Sequence, residues 1–537
     1  MAETVIINGH YSTALDNIEA CTLLVNADLT VPAGSYIKVA GDIKVHTTGN
    51  LHIEHEGSLV QVNNNATTIN TGNIVVEKIT PLLSEKEFMV IGSPLSAETR
   101  EAVYANNYIV RHHLTENFIP NPEVENMFPL AENFADDNGD NWANHSGLLN
   151  PAEGYLVFPQ PDGTTGGSFV HNYTNGSFNS GTINFPIKYN GTQMGSPNVM
   201  SNPYPSAIDA DLFFAEANNG PIDVLYFWEH ITPASSDYPG FYSANFDMGD
   251  ISLYSEAMGG LPAANGGSTP NNIIASGQGF GIKASAPGTA VFTNNMRLTG
   301  PNDTYRRPIA PERDRLWLNV YNHTYALGST ALIGFSAATN DDYDINADIK
   351  RLATPVSLYS ELATGEQLAI NAMGIFGIEK QIAISFVTQV EEIQEYTISL
   401  QNMDGSNLEN TAVFLIDYAL NTITDLTNET YSFESNAGEF AKRFTLVFEN
   451  SILDTDNFNA QSIAVYPNPA SNFVHIYTPS KNITAVELCD MRGRKVYEQH
   501  TAQPEHYSVD LATLAPGVYL MTIHTENGTF IKRIVKN

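Results

Sequence analysis

Cysteine is nearly absent: 537 residues hold two, Cys21 and Cys489. A disulfide-stapled scaffold is therefore excluded, and each thiol reads as a small buried apolar residue in a domain of its own. Basic residues are scarce too, with 25 Lys and Arg against 59 Asp and Glu, a formal net charge of −34. Nucleic-acid affinity rests on Lys and Arg neutralising phosphates, so this composition argues against a nucleic-acid partner. No run of 18 apolar residues exists, hence no expected transmembrane segment. The start, Met1-Ala-Glu-Thr-Val-Ile-Ile, lacks the basic and apolar regions of a signal peptide. Catalytic signatures are missing as well. There is no Gly-x-Ser-x-Gly elbow and no His-Glu-x-x-His helix, and neither cysteine has a nucleophile's surroundings. Gly277-Gln-Gly-Phe-Gly281 is followed by no helical pattern, so it reads as a bulge or close strand approach, not a phosphate cradle. The expectation is a protein that is not an enzyme. Paired-carboxylate glycoside chemistry is the class that so acidic a chain leaves open.

What is present is strand-and-turn sequence throughout. At this length several domains are expected. Between Leu23 and Val76 apolar pairs recur, such as Leu29/Val31, Ile37/Val39 and Leu51/Ile53, with Gly34, Gly41, Gly49 and Gly57 seven or eight residues apart. That pattern predicts a short β-solenoid over residues 1–79, with an antiparallel meander as the alternative. Short β-branched and aromatic runs broken by Gly, Pro, Asn and Ser predict a β-sandwich or jelly roll over 80–310. One helix is expected there, within Ala207–Ala217 and N-capped by Ser206. A second β-sandwich is expected over 311–448, and the polar stretch 449–460 reads as a linker. The fold class is thus all-β.

Residues 461–537 stand apart. They hold 7 of the basic and 6 of the acidic residues, leaving 18 against 53 elsewhere, so the tail is near neutral and the body intensely acidic. Seven short strands joined by turns such as Met491-Arg-Gly-Arg494 predict a small immunoglobulin-like sandwich. Ile463-Ala-Val-Tyr-Pro-Asn-Pro-Ala470, Met491-Arg-Gly-Arg494, Leu514-Ala-Pro-Gly-Val-Tyr-Leu520 and Phe530-Ile-Lys-Arg-Ile-Val-Lys-Asn537 occur in order. In that order they resemble the type A C-terminal sorting domain of the type IX secretion system of Bacteroidota. The matching positions are Tyr466, Pro467, Asn468 and Pro469, then Gly493, then Pro516, Gly517, Val518 and Tyr519, and finally Lys532. The resemblance implies export past the outer-membrane secretion machinery to the cell surface or the medium, after removal of a signal peptide that this chain does not carry. Phrases in the body, Ser201-Asn-Pro-Tyr-Pro-Ser-Ala-Ile-Asp209, Tyr226-Phe-Trp-Glu229, Gly277-Gln-Gly-Phe280 and Asn294-Asn-Met-Arg297, resemble uncharacterised surface proteins of the same phylum.

Two acidic loops are candidate calcium sites, because calcium takes six to eight oxygen ligands. In Asp136-Asp-Asn-Gly-Asp140, Gly139 could turn the chain so that Asp136, Asn138 and Asp140 converge; in 342–348, Asp342, Asp344, Asn346 and Asp348 alternate. An acidic surface loop is the competing account of each. Trp142 follows the first loop and is a candidate stacking platform for a glycan. The leading expectation is a non-enzymatic surface adhesin or structural protein. A calcium-dependent glycan-binding module and a self-assembling filament subunit are the alternatives, with surface glycans or further copies of the chain as partners.

Overall fold

The structure, a computed structural model, describes residues 2–536 apart from 85, 160–165, 303–313, 346, 410, 421, 451–463, 467–469, 471, 491 and 526–527. The fold is all-β, in two compact units, Met1–Asn450 and Ser451–Asn537. The expected linker falls across their junction. Glu449 and Asn450 end a strand, and 451–460 lie outside the described residues.

The first unit begins as a β-solenoid. Strands Asp28–Val31, Asn50–Ile53 and Asn73–Ile79 stack in parallel, with Leu29 over Leu51 and Leu51 over Ile74, so a coil takes 22 or 23 residues. On the facing sheet Ile18–Val25, Tyr36–Val39 and Ser58–Gln61 pair the same way. In-register stacking turns every second residue into an internal ladder: Val31, Ile53 and Val76 are wholly buried. The turn glycines are there because successive coils nearly touch. A Cβ on Gly49 would lie 2.2 Å from the Val25 carbonyl oxygen, and one on Gly57 2.3 Å from that of Val31. Cys21 corrects the expectation of burial: it occupies an outward position of Ile18–Val25 and is exposed, while Cys489 is half-buried.

The open edges of this stack are covered by the rest of the unit. Val170–Tyr173 pairs antiparallel with Asn73–Ile79 and ends one sheet. On the other, the Leu59 N–H donates to the Pro205 carbonyl, and the buried Arg297 guanidinium donates to the Leu59 carbonyl, to Ser206 Oγ at 3.2 Å and to Asn294 Oδ1 at 3.1 Å. Arg297 also lies over the Tyr204 ring, and burial pulls its pKa down to about 10. Ser206 thus serves this joint and caps no helix. The helix there is Ala210–Phe214, and its N-cap is Asp209, whose carboxylate accepts from the Asp211 N–H. Two further short helices, Arg100–Val103 and Pro122–Met127, carry too few residues for a 3.6-residue period to show in sequence.

Beyond the solenoid stand a four-stranded sheet (Met89–Ile91, Tyr155–Phe158, Ile109–His113, Trp142–Asn144) and a five-stranded sheet (Pro197–Ser201, Gly279–Lys283, Val224–Trp228, Ile251–Ser255, Gly259–Leu261). An eleven-stranded sheet from Asp314 to Asn450 curls around its own core, built on Leu316, Leu318, Ile384, Phe386 and Phe444. Trp317 points the opposite way to Leu316 and Leu318, donating to the Gly260 carbonyl at 3.1 Å. The two strand systems are thereby bonded directly.

The second unit is one antiparallel five-stranded sheet with its own core, including Val474, Ile476, Val486, Leu488, Met521 and Ile523. Among the described residues the seven expected strands are five. Phe473–Asp490 and Lys495–Asp510 each run through what the sequence presents as a turn, because Asn482 still pairs with Pro504 while the register shifts around it.

Replacing Arg297 by Met leaves the Leu59 carbonyl without its charged donor. The expected cost is about 1–3 kcal/mol, read as a lower urea midpoint of the first unit's transition with an unchanged slope.

Candidate functional site

The four-stranded sheet has two buried faces. Ile91, Val110, Tyr155 and Val157 join the solenoid core. The alternate residues Val90, Arg111, His113, Trp142, Leu156 and Phe158 face away, and line a cavity of about 490 Å³. Period-2 alternation is what gives one sheet these two jobs. The opposing wall is Pro197, Val199, Tyr226, Trp228, Gly279 and Gly281 of the five-stranded sheet. Gly279 is demanded by close approach, since a Cβ there would lie 2.6 Å from the Val90 carbonyl oxygen. This bears out the reading of Gly277–Gly281 as a close strand approach.

The loop between Trp228 and Ile251 closes the side. It brings Phe246 within 5.7 Å of the Trp228 ring and 5.2 Å of Phe88, while Phe88 and Trp228 lie 5.6 Å apart. Phe241 and Tyr242 form an exposed rim, and the Tyr242 hydroxyl donates to the Gly139 carbonyl at 3.0 Å. The Trp142 ring meets His113 edge-on at 4.9 Å, and burial pulls that imidazole down to about 4, so it is neutral at physiological pH.

The acidic loop forms part of the same wall. Asp136 is buried, and its Oδ1 accepts the Ile119 N–H at 3.0 Å while Oδ2 accepts the N–H groups of Gly139 and Asp140 at 2.7 and 3.1 Å. Gly139 makes the turn with φ +76°. Asn138 and Asp140 are exposed, and Asn138 Oδ1 takes the Asp140 N–H. A cation here would share the Asp136 carboxylate with three amides. The second loop lies apart from this cavity. Asp342 is exposed and Asp344 half-buried. Asp348 is buried, accepting from the N–H groups of Ala372 and Asp344, with its carboxyl pushed up to about 6 by burial. Asn346 lies outside the described residues, and among those described no group of three or more His, Cys, Asp or Glu is arranged to hold a metal ion.

Phe88, Arg111 and Phe246 carry no signal in the sequence, whereas Trp228 stands in the phrase Tyr226-Phe-Trp-Glu229. A larger cleft of about 950 Å³ adjoins the cavity, sharing His113, Asn198 and Val199. Its ionisable groups are engaged with one another: His112 lies 3.6 Å from Glu153, and Lys188 3.0 Å from Glu116.

In the second unit Gly493 sits at φ +78° in a turn held by Asp490, whose Oδ1 accepts the Arg492 and Arg494 N–H groups. Tyr519 is buried, its hydroxyl donating to the Ala515 carbonyl, whereas Pro516 and Gly517 are exposed and Val518 and Lys532 half-buried. Tyr466 is in a strand; Pro467, Asn468 and Pro469 lie outside the described residues.

Residues 1–448 match a family described as a domain of unknown function (DUF8693), and residues 464–537 match the secretion system C-terminal sorting domain. No curated protein matches the chain. Among solved structures, a dimeric latent PorU from Porphyromonas gingivalis is similar at 10% identity and a TM-score of 0.14, over 72% of this chain and 42% of that one. A biofilm-associated protein BSP domain is similar at 9% identity and 0.17, over 85% and 98%. Likenesses this low carry no argument about fold or ligand.

The root of the cavity loop titrates. Burial pushes the Glu229 carboxyl up to about 7, with the neighbouring Asp250 carboxylate acting the same way. The folded state therefore holds this proton more tightly than the unfolded chain does, and the stability so contributed is lost as pH rises from about 4.5 through 7. The thermal midpoint should fall across that window and fall less in Glu229→Gln.

Proposed function

The chain belongs to the family of this domain of unknown function (DUF8693) and, by its C-terminal sorting domain, is type IX secretion cargo; from that premise we propose that its body works at the cell surface as a non-enzymatic adhesin. One observation carries the reading: an aromatic-lined cavity of about 490 Å³, a size in the range of small-ligand sites. Its walls come from two sheets and a loop of the body. Among the described residues they offer ring faces for stacking, and neither paired carboxylates nor a nucleophile with a base. Binding without turnover is the chemistry such walls perform.

A carbohydrate ligand is the second reading. It is favoured by Trp142 standing directly after the Asp136–Asp140 loop, where calcium on Asp136, Asn138 and Asp140 would order the platform.

Two experiments test this. Removing residues 461–537 should abolish surface display, measured by protease accessibility on intact cells, and leave the body inside the envelope. Glycan and peptide arrays probed with the full chain should give hits that weaken about tenfold in Trp142→Ala. Turnover of any arrayed polysaccharide or peptide would overturn the non-enzymatic reading. Binding indifferent to a chelator would remove calcium from the second one.

A further inference from the structure

Arginine is the costly residue to leave alone in this body. Its guanidinium is always charged, and withdrawing a charge from water without a partner is unfavourable. Partners abound, since the body holds 53 acidic residues against 18 basic ones. The other described arginines of the body are engaged, two with acids and three with neutral oxygens. Arg315 pairs with Asp404 at 2.6 Å and Arg443 with Asp417 at 2.8 Å. Arg100 donates to the carbonyls of Tyr104, Ala105 and Tyr108, Arg351 to Gln367, and Arg297 to the solenoid joint. Arg111 is the exception: among the described residues its guanidinium makes neither an ion pair nor a hydrogen bond, and its buried Nε has no acceptor. It is also the arginine that lines the aromatic cavity. A second orphan stands in the same walls, for the Trp228 Nε1–H is buried without an acceptor.

Two acceptors of the lining are committed elsewhere. Asp136, the carboxylate in the lining, is occupied by three backbone amides, and Asn198 Oδ1 accepts the Lys188 N–H. The cavity therefore presents unengaged donors, one of them cationic, against apolar ring faces. A neutral sugar, needing many donors and acceptors around its ring, matches this poorly. A flat apolar body with one anionic head matches it on every count. We propose that the cavity binds a small aromatic carboxylate, its carboxylate on the Arg111 guanidinium and its ring among Phe88, Trp142 and Trp228. This deepens the adhesin reading and rests on it for the location of the site. A guanidinium fork meets a carboxylate with two parallel hydrogen bonds.

The test uses the full chain and titration calorimetry with 2-naphthoate and, as the uncharged twin, 2-naphthamide. The expected result is saturable binding of the acid, at least tenfold weaker binding of the amide, and at least a tenfold loss for the acid alone in Arg111→Gln. Arg111→Lys keeps the charge and loses the fork, so part of the affinity should return. Because the Arg111 side chain has no partner among the described residues, both variants should melt with the wild-type protein, which the same samples report. Equal affinity for acid and amide, no binding of either, or an acid affinity unchanged in Arg111→Gln overturns the proposal. An arrayed glycan or peptide whose capture is lost in Trp142→Ala and untouched in Arg111→Gln also overturns it, while leaving the adhesin reading standing.

Discussion

A parallel stack of coils cannot end freely, because its last strands expose rows of unpaired N–H and C=O groups to whatever strand comes next. The first unit is organised by how that edge is closed. One sheet is ended by Val170–Tyr173, and the other by Pro205, Arg297 and the asparagine joints around them. Asn294 donates to the Asn63 carbonyl and takes the Gly181 N–H, and Asn302 donates to the Gly57 carbonyl. Segments far apart in sequence are thereby pinned to the coil. The four-stranded sheet then lies with one face sealed by the solenoid core, and its other face is free to line a cavity.

The same joints explain the recurring phrases of the body. Asn202 donates to the carbonyls of Ser206, Ile274 and Ala275, and its own carbonyl takes the Gly277 N–H. The Tyr204 hydroxyl reaches the Gly181 carbonyl, and Arg297 spans Ser206 and Asn294. Three of the four phrases are thus parts of one polar seam. Side-chain amides suit such a seam because each both donates and accepts, so buried backbone ends are satisfied without a charge.

How much of this the sequence discloses follows the range of each interaction. Alternation and glycine spacing reveal the solenoid, because its partners recur at short, regular separation. The sorting domain is legible because its motifs are ordered and terminal. The run of Phe473–Asp490 as one strand is not, since Pro479, Asn482 and Pro504 have turn chemistry and only the cross-strand pairing overrides it. The helix at Ala210 was found, and its cap was misplaced by three residues because Ser206 and Asp209 are both cap-formers and the choice is made by Arg297. Least legible is the cavity. Phe88, Arg111, Phe158 and Phe246 lie far apart in sequence and none has a local partner that marks it, whereas Trp142 is marked by the acidic loop before it and Trp228 by the phrase Tyr226-Phe-Trp-Glu229.

The excess of acid is resolved in a way that gives the uncommitted Arg111 its meaning. Buried carboxylates here are held largely by amides. Glu98 accepts from Thr99, Thr174 and Asn175, Asp136 from Ile119, Gly139 and Asp140, and Asp250 from Ile231 and Thr232. Anions satisfied by backbone donors need no counter-ion, so a strongly acidic body folds with few bases, and those few become available for specific tasks. Most are spent on a partner: Lys283 on Glu132, Arg443 on Asp417, Arg297 on the solenoid edge. A guanidinium left uncommitted in such company is not explained by a shortage of acids. It is explained by a position, in the wall of a cavity whose partner comes from outside the chain.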